Sequence, residues 1–277
     1  MADDPAPFPK KPRLIYARAR GDLNSMNSKL APLEGKVAVV TGGSNGIGAA
    51  AVRLLANAGC KIVLCYNTGE ARANQLIAEL PGSDHRAIAL TLADGASVRN
   101  LAERVREAYG KLDIVVNSAG FTHPIAHGDL NALTDELFDA MLIANVRGPF
   151  SVIRALNPLL QESGDGVIVN VSSVSGATGS GSSIAYCASK AALDTMTISL
   201  ARVLGPNVRV MCVAPGAVAT GFVAGRDRGV LEKLAQSTPL RRVVEPEDVA
   251  RAIMTCIVDL RASTGLRLVV DGGRSLA

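Results

Sequence analysis

The 277-residue chain contains no tryptophan, and aromatic residues make up 3% of it. Proteins that stack nucleic-acid bases interleave aromatic side chains with Lys and Arg. Here the net charge is +4 and no dense basic stripe stands out, so nucleic acid is excluded as the expected partner. The five cysteines (Cys60, Cys65, Cys187, Cys212 and Cys256) and the three histidines form no Cys-x-x-Cys pair and no ligand spacing. Zinc and disulfide frameworks are therefore excluded, and the thiols read as core groups in a reducing compartment. His123 and His127 are four apart, but Pro124 between them argues against a helix and no thiol or acid completes a shell, so no metal is expected. No run of about 18 apolar residues is present, so no membrane helix is expected. The opening residues, with Asp3, Asp4 and four prolines by Pro12, resemble neither a secretory signal nor a transit peptide. A cytoplasmic protein is the expectation.

Hydrophobic residues, by contrast, make up 48% of the chain, and the mean hydropathy is +0.24. The length suits one large domain with an ample core. Residues 1–34 form a separate zone of early proline and mixed charge, read as a flexible or loosely docked extension, with a basic interaction arm as the alternative. The domain proper is expected over residues 35–277. Within it apolar strands alternate with helical patterns. Strands are expected at 36–41, 62–66, 87–92, 112–116, 167–171, 208–213 and 266–270. Helices are expected from just after Gly48 to Ala58 and at 70–80, 96–109, 135–160, 186–204 and 247–260, the 135–160 helix bending near Pro149 and Pro158. This alternation predicts a single-domain α/β Rossmann fold: a doubly wound parallel seven-stranded sheet with helices on both faces.

The first strand breaks into Thr41-Gly42-Gly43-Ser44-Asn45-Gly46-Ile47-Gly48 before a helix. That order is the form of a phosphate cradle: glycines let the backbone approach a pyrophosphate, and the helix N-terminus offers N–H groups to the anion. Further on, Ser173 follows an apolar strand, and Tyr186 and Lys190 share a face at the start of a helix. A cation beside a phenol favours phenolate, so Tyr186 is expected to be acidified and to exchange protons.

Taken in order, Thr41-Gly42-x-x-x-Gly46-Ile47-Gly48, Asn117-Ser118-Ala119-Gly120, Asn145, Ser173, Tyr186-x-x-x-Lys190, Pro215-Gly216 and Thr220 resemble the short-chain dehydrogenases/reductases, 3-oxoacyl-carrier-protein-reductase-like, over about residues 35–273. The family's usual spacing selects Ser173 over Ser172. The resemblance implies catalysis by Asn145, Ser173, Tyr186 and Lys190: Tyr186 as general acid/base, Ser173 bonding the substrate oxygen, Lys190 holding the ribose, and Asn145 anchoring a relay water. It implies cofactor contacts from Gly42, Ser44, Asn45, Gly46, Ile47 and Gly48; from Tyr66, Asn67 and Thr68; from Leu92; from Asn117, Ala119 and Gly120; from Tyr186 and Lys190; and from Pro215, Gly216, Val218 and Thr220. The chain departs from the family pattern at Ser118, at Thr91 (where an Asp usually meets adenine, Asp94 following three later), at Met211 and at Arg241.

No acid ends the second strand to bond a ribose 2′-OH, so NADP(H) is the preferred cofactor and NAD(H) the alternative. With no Arg at Asn45, a soft grip on the 2′-phosphate is expected. Pocket walls are expected from residues 121–127, 175–183 and 217–239, around a small ketone or secondary alcohol. The run Gln161-Glu162-Ser163-Gly164-Asp165 would repel an acidic carrier protein, which demotes a 3-oxoacyl-carrier-protein (or acyl-CoA) substrate to the alternative. A non-catalytic dinucleotide-binding sensor is the second alternative. By resemblance the assembly is a homotetramer or homodimer, with Ala188, Ala191 and Ala192 permitting close helix packing.

Overall fold

A computed structural model describes residues 32–276. The expected N-terminal extension lies outside the described residues except for 32–34.

Seven strands form one sheet: β1 (Val37–Thr41), β2 (Lys61–Tyr66), β3 (Arg86–Ala89), β4 (Ile114–Asn117), β5 (Gly166–Val171), β6 (Val208–Pro215) and β7 (Arg267–Val270). Every pairing is parallel, in the spatial order β3-β2-β1-β4-β5-β6-β7. The order reverses between β1 and β4, where a crevice opens at the carboxyl ends of the strands.

The helices are α1 (Gly46–Asn57), α2 (Glu70–Glu79), α3 (Gly95–Tyr109), α4 (Asp135–Leu142), α5 (Gly148–Glu162), α6 (Ser175–Thr178), α7 (Ile184–Leu204), α8 (Arg228–Gln236) and α9 (Pro246–Val258). Alternating strand residues supply two cores. Ala38 and Val40 pack with Leu55 of α1 and Ile253 of α9, whereas Val37 and Val39 pack with Leu101 of α3 and Leu156 of α5. Both faces of the sheet are thus covered, as near-continuous apolar strands require.

Caps fix the helix starts. Asp94 Oδ1 accepts from Ala96 N at 2.8 Å at the head of α3, which occupies the acid locally rather than at an adenine pocket. Ser183 Oγ accepts from Tyr186 N at 3.2 Å, setting the first turn of α7.

The expected bend of the long helix is corrected. Pro149 sits in the first turn of α5 and Pro158 lies within it, while the break is a π-helical turn, Ile143–Arg147, between α4 and α5. The π turn runs on into α5 through Arg147 and Gly148, both helical, with Gly148 N donating to Ile143 O, so Pro149, which has no N–H, lies just past the break. The helix α8 was not anticipated within residues 217–239; Asp227 caps it, accepting from Val230 N at 2.9 Å. Met211 is fully buried in the core, and Arg241, at a position where the family often has Gly, takes a left-handed φ of 47°.

Candidate active site

The cradle is built on close approach. Gly42 and Gly46 have φ of 64° and 50°. A Cβ on Gly48 would lie 2.2 Å from the Gly42 carbonyl oxygen, so α1 can pack this tightly on the β1 turn only without a side chain. A Cβ on Gly42 would lie 2.8 Å from Ala119 Cα, and Ala119 N donates to Thr41 Oγ1 at 3.1 Å. Two neighbouring strand ends are thereby locked together at the crevice. The first N–H groups of α1, which lack intrahelical partners, lie at its lip.

From this turn a cleft of about 810 Å³ runs along the strand ends. Of the residues expected at the site, Gly42, Ser44, Asn45, Gly46, Ile47, Tyr66, Asn67, Thr68 and Leu92 line it. So do Ala119, Gly120, Ser173, Tyr186, Lys190, Pro215, Gly216, Val218 and Thr220. Ser118 and Thr91 line it as well. The residues therefore fit an extended dinucleotide, with the glycine turn at one end and Ser173, Tyr186 and Lys190 at the other.

Three expected site residues stand behind the lining. Gly48 acts through packing. Asn117 turns its side chain inward, Nδ2 donating to Asn170 Oδ1 at 2.9 Å, and Asn170 Nδ2 donates to Thr197 Oγ1 at 2.9 Å, which ties β4, β5 and α7 together. Asn145, fully buried in the π turn, binds the backbone of Phe121 twice: Oδ1 accepts from Phe121 N at 2.8 Å and Nδ2 donates to Phe121 O at 2.9 Å. Its Nδ2 also donates to Ser189 Oγ at 3.0 Å. The Asn145 side chain therefore holds the loop after β4.

At the other end, Ser173 and Tyr186 are buried together. Ser173 Oγ accepts from Ser175 N at 3.1 Å, and the Ser173 carbonyl accepts from Arg267 Nη2 at 3.1 Å. Arg267 in turn pairs with Asp194 at 2.9 Å, one turn beyond Lys190. Lys190 Nζ donates to the Val171 carbonyl at 2.8 Å and lies 5.7 Å from the centroid of the Tyr186 ring.

The expectation that Lys190 acidifies Tyr186 is corrected by these positions. Burial pushes the phenol up to about 12, outweighing the Ser173 hydroxyl and the charge of Arg226, which both act to lower it. Burial pulls Lys190 down to about 8, partly opposed by Asp194. Tyr186 thus holds its proton at neutral pH, as a donor to a carbonyl oxygen must.

Sequence reasoning missed Arg72, in the first turn of α2, which lines the cleft. A Cβ on Gly69 would lie 2.8 Å from Arg72 Nη2 and 3.1 Å from Ser44 Oγ, so guanidinium and hydroxyl converge at the end of β2. The signal was present, since a cation one turn into the helix after β2 points back at the strand end. His123 and His127 are exposed outside the cleft, and no group of three His, Cys, Asp or Glu gathers to hold a metal among the described residues. Among those residues, no helix is long and apolar enough to cross a membrane.

Known proteins are similar to this chain in sequence and fold. The sequence model of the family described as enoyl-(acyl carrier protein) reductase matches residues 42–275. A ketoacyl reductase assigned to the granaticin polyketide synthase of Streptomyces violaceoruber is 39% identical over 245 residues, 88% of this chain and 97% of that one. The 3alpha-hydroxysteroid dehydrogenase of Mediterraneibacter gnavus is 36% identical over 246 residues, 87% of this chain and 97% of that one. The crystal structure of a dehydrogenase/reductase from Sinorhizobium meliloti 1021 superposes with a TM-score of 0.80 at 34% identity, covering 88% of this chain and 96% of that one. The chain belongs to the short-chain dehydrogenase/reductase family and is an NAD(P)-dependent oxidoreductase.

Proposed function

We propose that this enzyme reduces the carbonyl of a small molecule with NADPH, and that Tyr186 gives the proton. One observation carries the reading: a buried phenol that keeps its proton stands beside Ser173 in the same cleft that begins at the glycine cradle. The nicotinamide, when bound, supplies the hydride. Ser173 donates a hydrogen bond to the substrate oxygen as charge grows on it, and Tyr186 protonates that oxygen. Lys190, held by the Val171 carbonyl, keeps a positive charge beside the Tyr186 ring and is positioned for the ribose. Asn145 supports the site by fixing Phe121. A panel of ketones assayed with NADPH and NADH tests the reading, and absence of turnover on every member overturns it.

The Lys190 charge is lost as pH rises through about 8, because its folded value is depressed below the usual lysine range. Reduction therefore declines above that pH. Asp194 raises the Lys190 value, so Asp194→Asn moves this alkaline limb of kcat/KM to lower pH, whereas a purely structural role lowers the rate at all pH alike.

Arg72 supports NADPH over NADH. It has no carboxylate partner among the described residues, and it stands with Ser44 where a 2′-phosphate would lie. Arg72 adds a cation to the Asn and Thr side chains at that end of the cleft. Arg72→Gln weakens NADPH binding by about 10-fold or more and NADH binding far less, on the scale of a hydrogen bond to a charged group. Calorimetric titration with each nucleotide checks it.

The carrier-protein alternative regains ground. Glu162 and Asp165 are paired with Arg106 at 3.3 Å and Arg261 at 2.7 Å, so the acidic run presents no bare negative charge. A cytoplasmic location is supported by five free, buried cysteines. A homotetramer or homodimer is supported by the outward side of α7, where Ala188 and Ile198 are exposed; light scattering on the purified chain decides between them.

A further inference from the structure

Two arginines that the mechanism does not use, Arg226 and Arg274, line the same cleft as Ser173 and Tyr186. Arg226 closes the loop that leads into α8, and Arg274 begins the C-terminal 3-10 turn Arg274–Leu276. Both are half-buried, and neither meets a carboxylate among the described residues. Burial, and then the neighbouring charge of Arg274, push the Arg226 guanidinium below its usual range. Two like charges gathered out of water with no counter-charge are unfavourable, and an anion between them removes the penalty.

Their place along the cleft says which anion. The loop after β6 touches the glycine cradle at Thr220, whose Cγ2 would lie 3.1 Å from a Cβ on Gly46. It then moves to the proton donor: the Phe222 ring is 6.0 Å from the Tyr186 ring, and the Arg226 charge acts on the Tyr186 phenol. The arginines thus stand at the reacting end of the cleft, past the phosphate end, with Phe222 and Val223 between as apolar wall. We propose that Arg226 and Arg274 form a carboxylate subsite, and that the substrate is a short oxo acid reduced to the hydroxy acid. This rests on the reading of Tyr186 as proton donor. The carbonyl carbon takes the hydride, its oxygen takes the Tyr186 proton, and the carboxylate is held unchanged by the guanidinium forks.

The test uses the full chain with NADPH and short straight-chain oxo acids of increasing separation between ketone and carboxylate, each beside its methyl ester. The native enzyme favours at least one acid over its ester by about 10- to 100-fold in kcat/KM, as a charge-assisted contact predicts. Arg226→Gln and Arg274→Gln collapse that ratio towards one, and Arg226→Lys retains part of it; thermal melts confirm that the variants fold. Calorimetry of acid binding to the NADPH-loaded protein reads the subsite without turnover. Acid binding that Arg226→Gln abolishes upholds the subsite even if no ketone is reduced, a result that would sink the Tyr186 reading alone. Equal rates on acids and esters, or no acid binding, overturn the proposal. Weakened NADPH binding in Arg226→Gln with the acid preference intact also overturns it, by assigning the pair to the cofactor's phosphates.

Discussion

Tyr186→Phe lowers turnover by at least about 100-fold, the scale of general acid–base help. The substitution is a clean one. The ring keeps its packing against Met141 and Ala185, its tilted contact with Phe222 and its place beneath Lys190, so the fold is retained. What disappears is one hydroxyl, and with it the proton that the carbonyl oxygen needs. Ser173 still bonds that oxygen but has no proton relay behind it, so the residual rate reflects binding and polarisation alone. The check is steady-state turnover of a ketone with NADPH, beside a fluorescence titration of the cofactor, whose affinity changes far less than the rate. Near-native turnover would remove Tyr186 from the chemistry.

Gly48→Ala damages the protein in a different way. The added Cβ would meet the Gly42 oxygen at 2.2 Å, the Gly42 carbonyl carbon at 2.8 Å and Gly43 Cα at 3.1 Å. All three are backbone atoms, so no side chain can swing aside and the turn itself must move. Overpacking of this kind costs about 1–3 kcal/mol of stability. The larger loss is function, because the displaced turn is the anion cradle: affinity for NADPH falls by about 10-fold or more. Gly128, with open space around its Cβ position, gives the matched control, and Gly128→Ala stays within about 0.5 kcal/mol of the native protein. If Gly48→Ala bound cofactor as the native chain does, the close approach would not be what shapes the site.

Much of this architecture was legible because the signals are local and periodic. Apolar runs such as Val37–Thr41 can be buried on both sides only in a covered parallel sheet, and glycine at 42, 46 and 48 marks a turn that no other residue fits. Three things were not legible, for separate reasons. The break at Ile143–Arg147 contains no proline or glycine of its own, and the contact made there, Asn145 to the Phe121 backbone, spans 24 positions. The state of Tyr186 depends on burial, which spacing along a helix does not report; the nearby ammonium suggested an acidified phenol, and desolvation reversed the sign. Arg226 and Arg274 belong to no motif, and their shared cleft emerges only from the tertiary arrangement.

The bond from Arg267 to the Ser173 carbonyl spans 94 positions and comes from the strand nearest the C-terminus. A ribosome therefore delivers the proton donor, the hydroxyl and the glycine turn long before it delivers the brace that fixes the serine loop. A chain that stops before β7 thus carries the phenol, the ammonium and the glycine turn, yet lacks the guanidinium that steadies the Ser173 backbone.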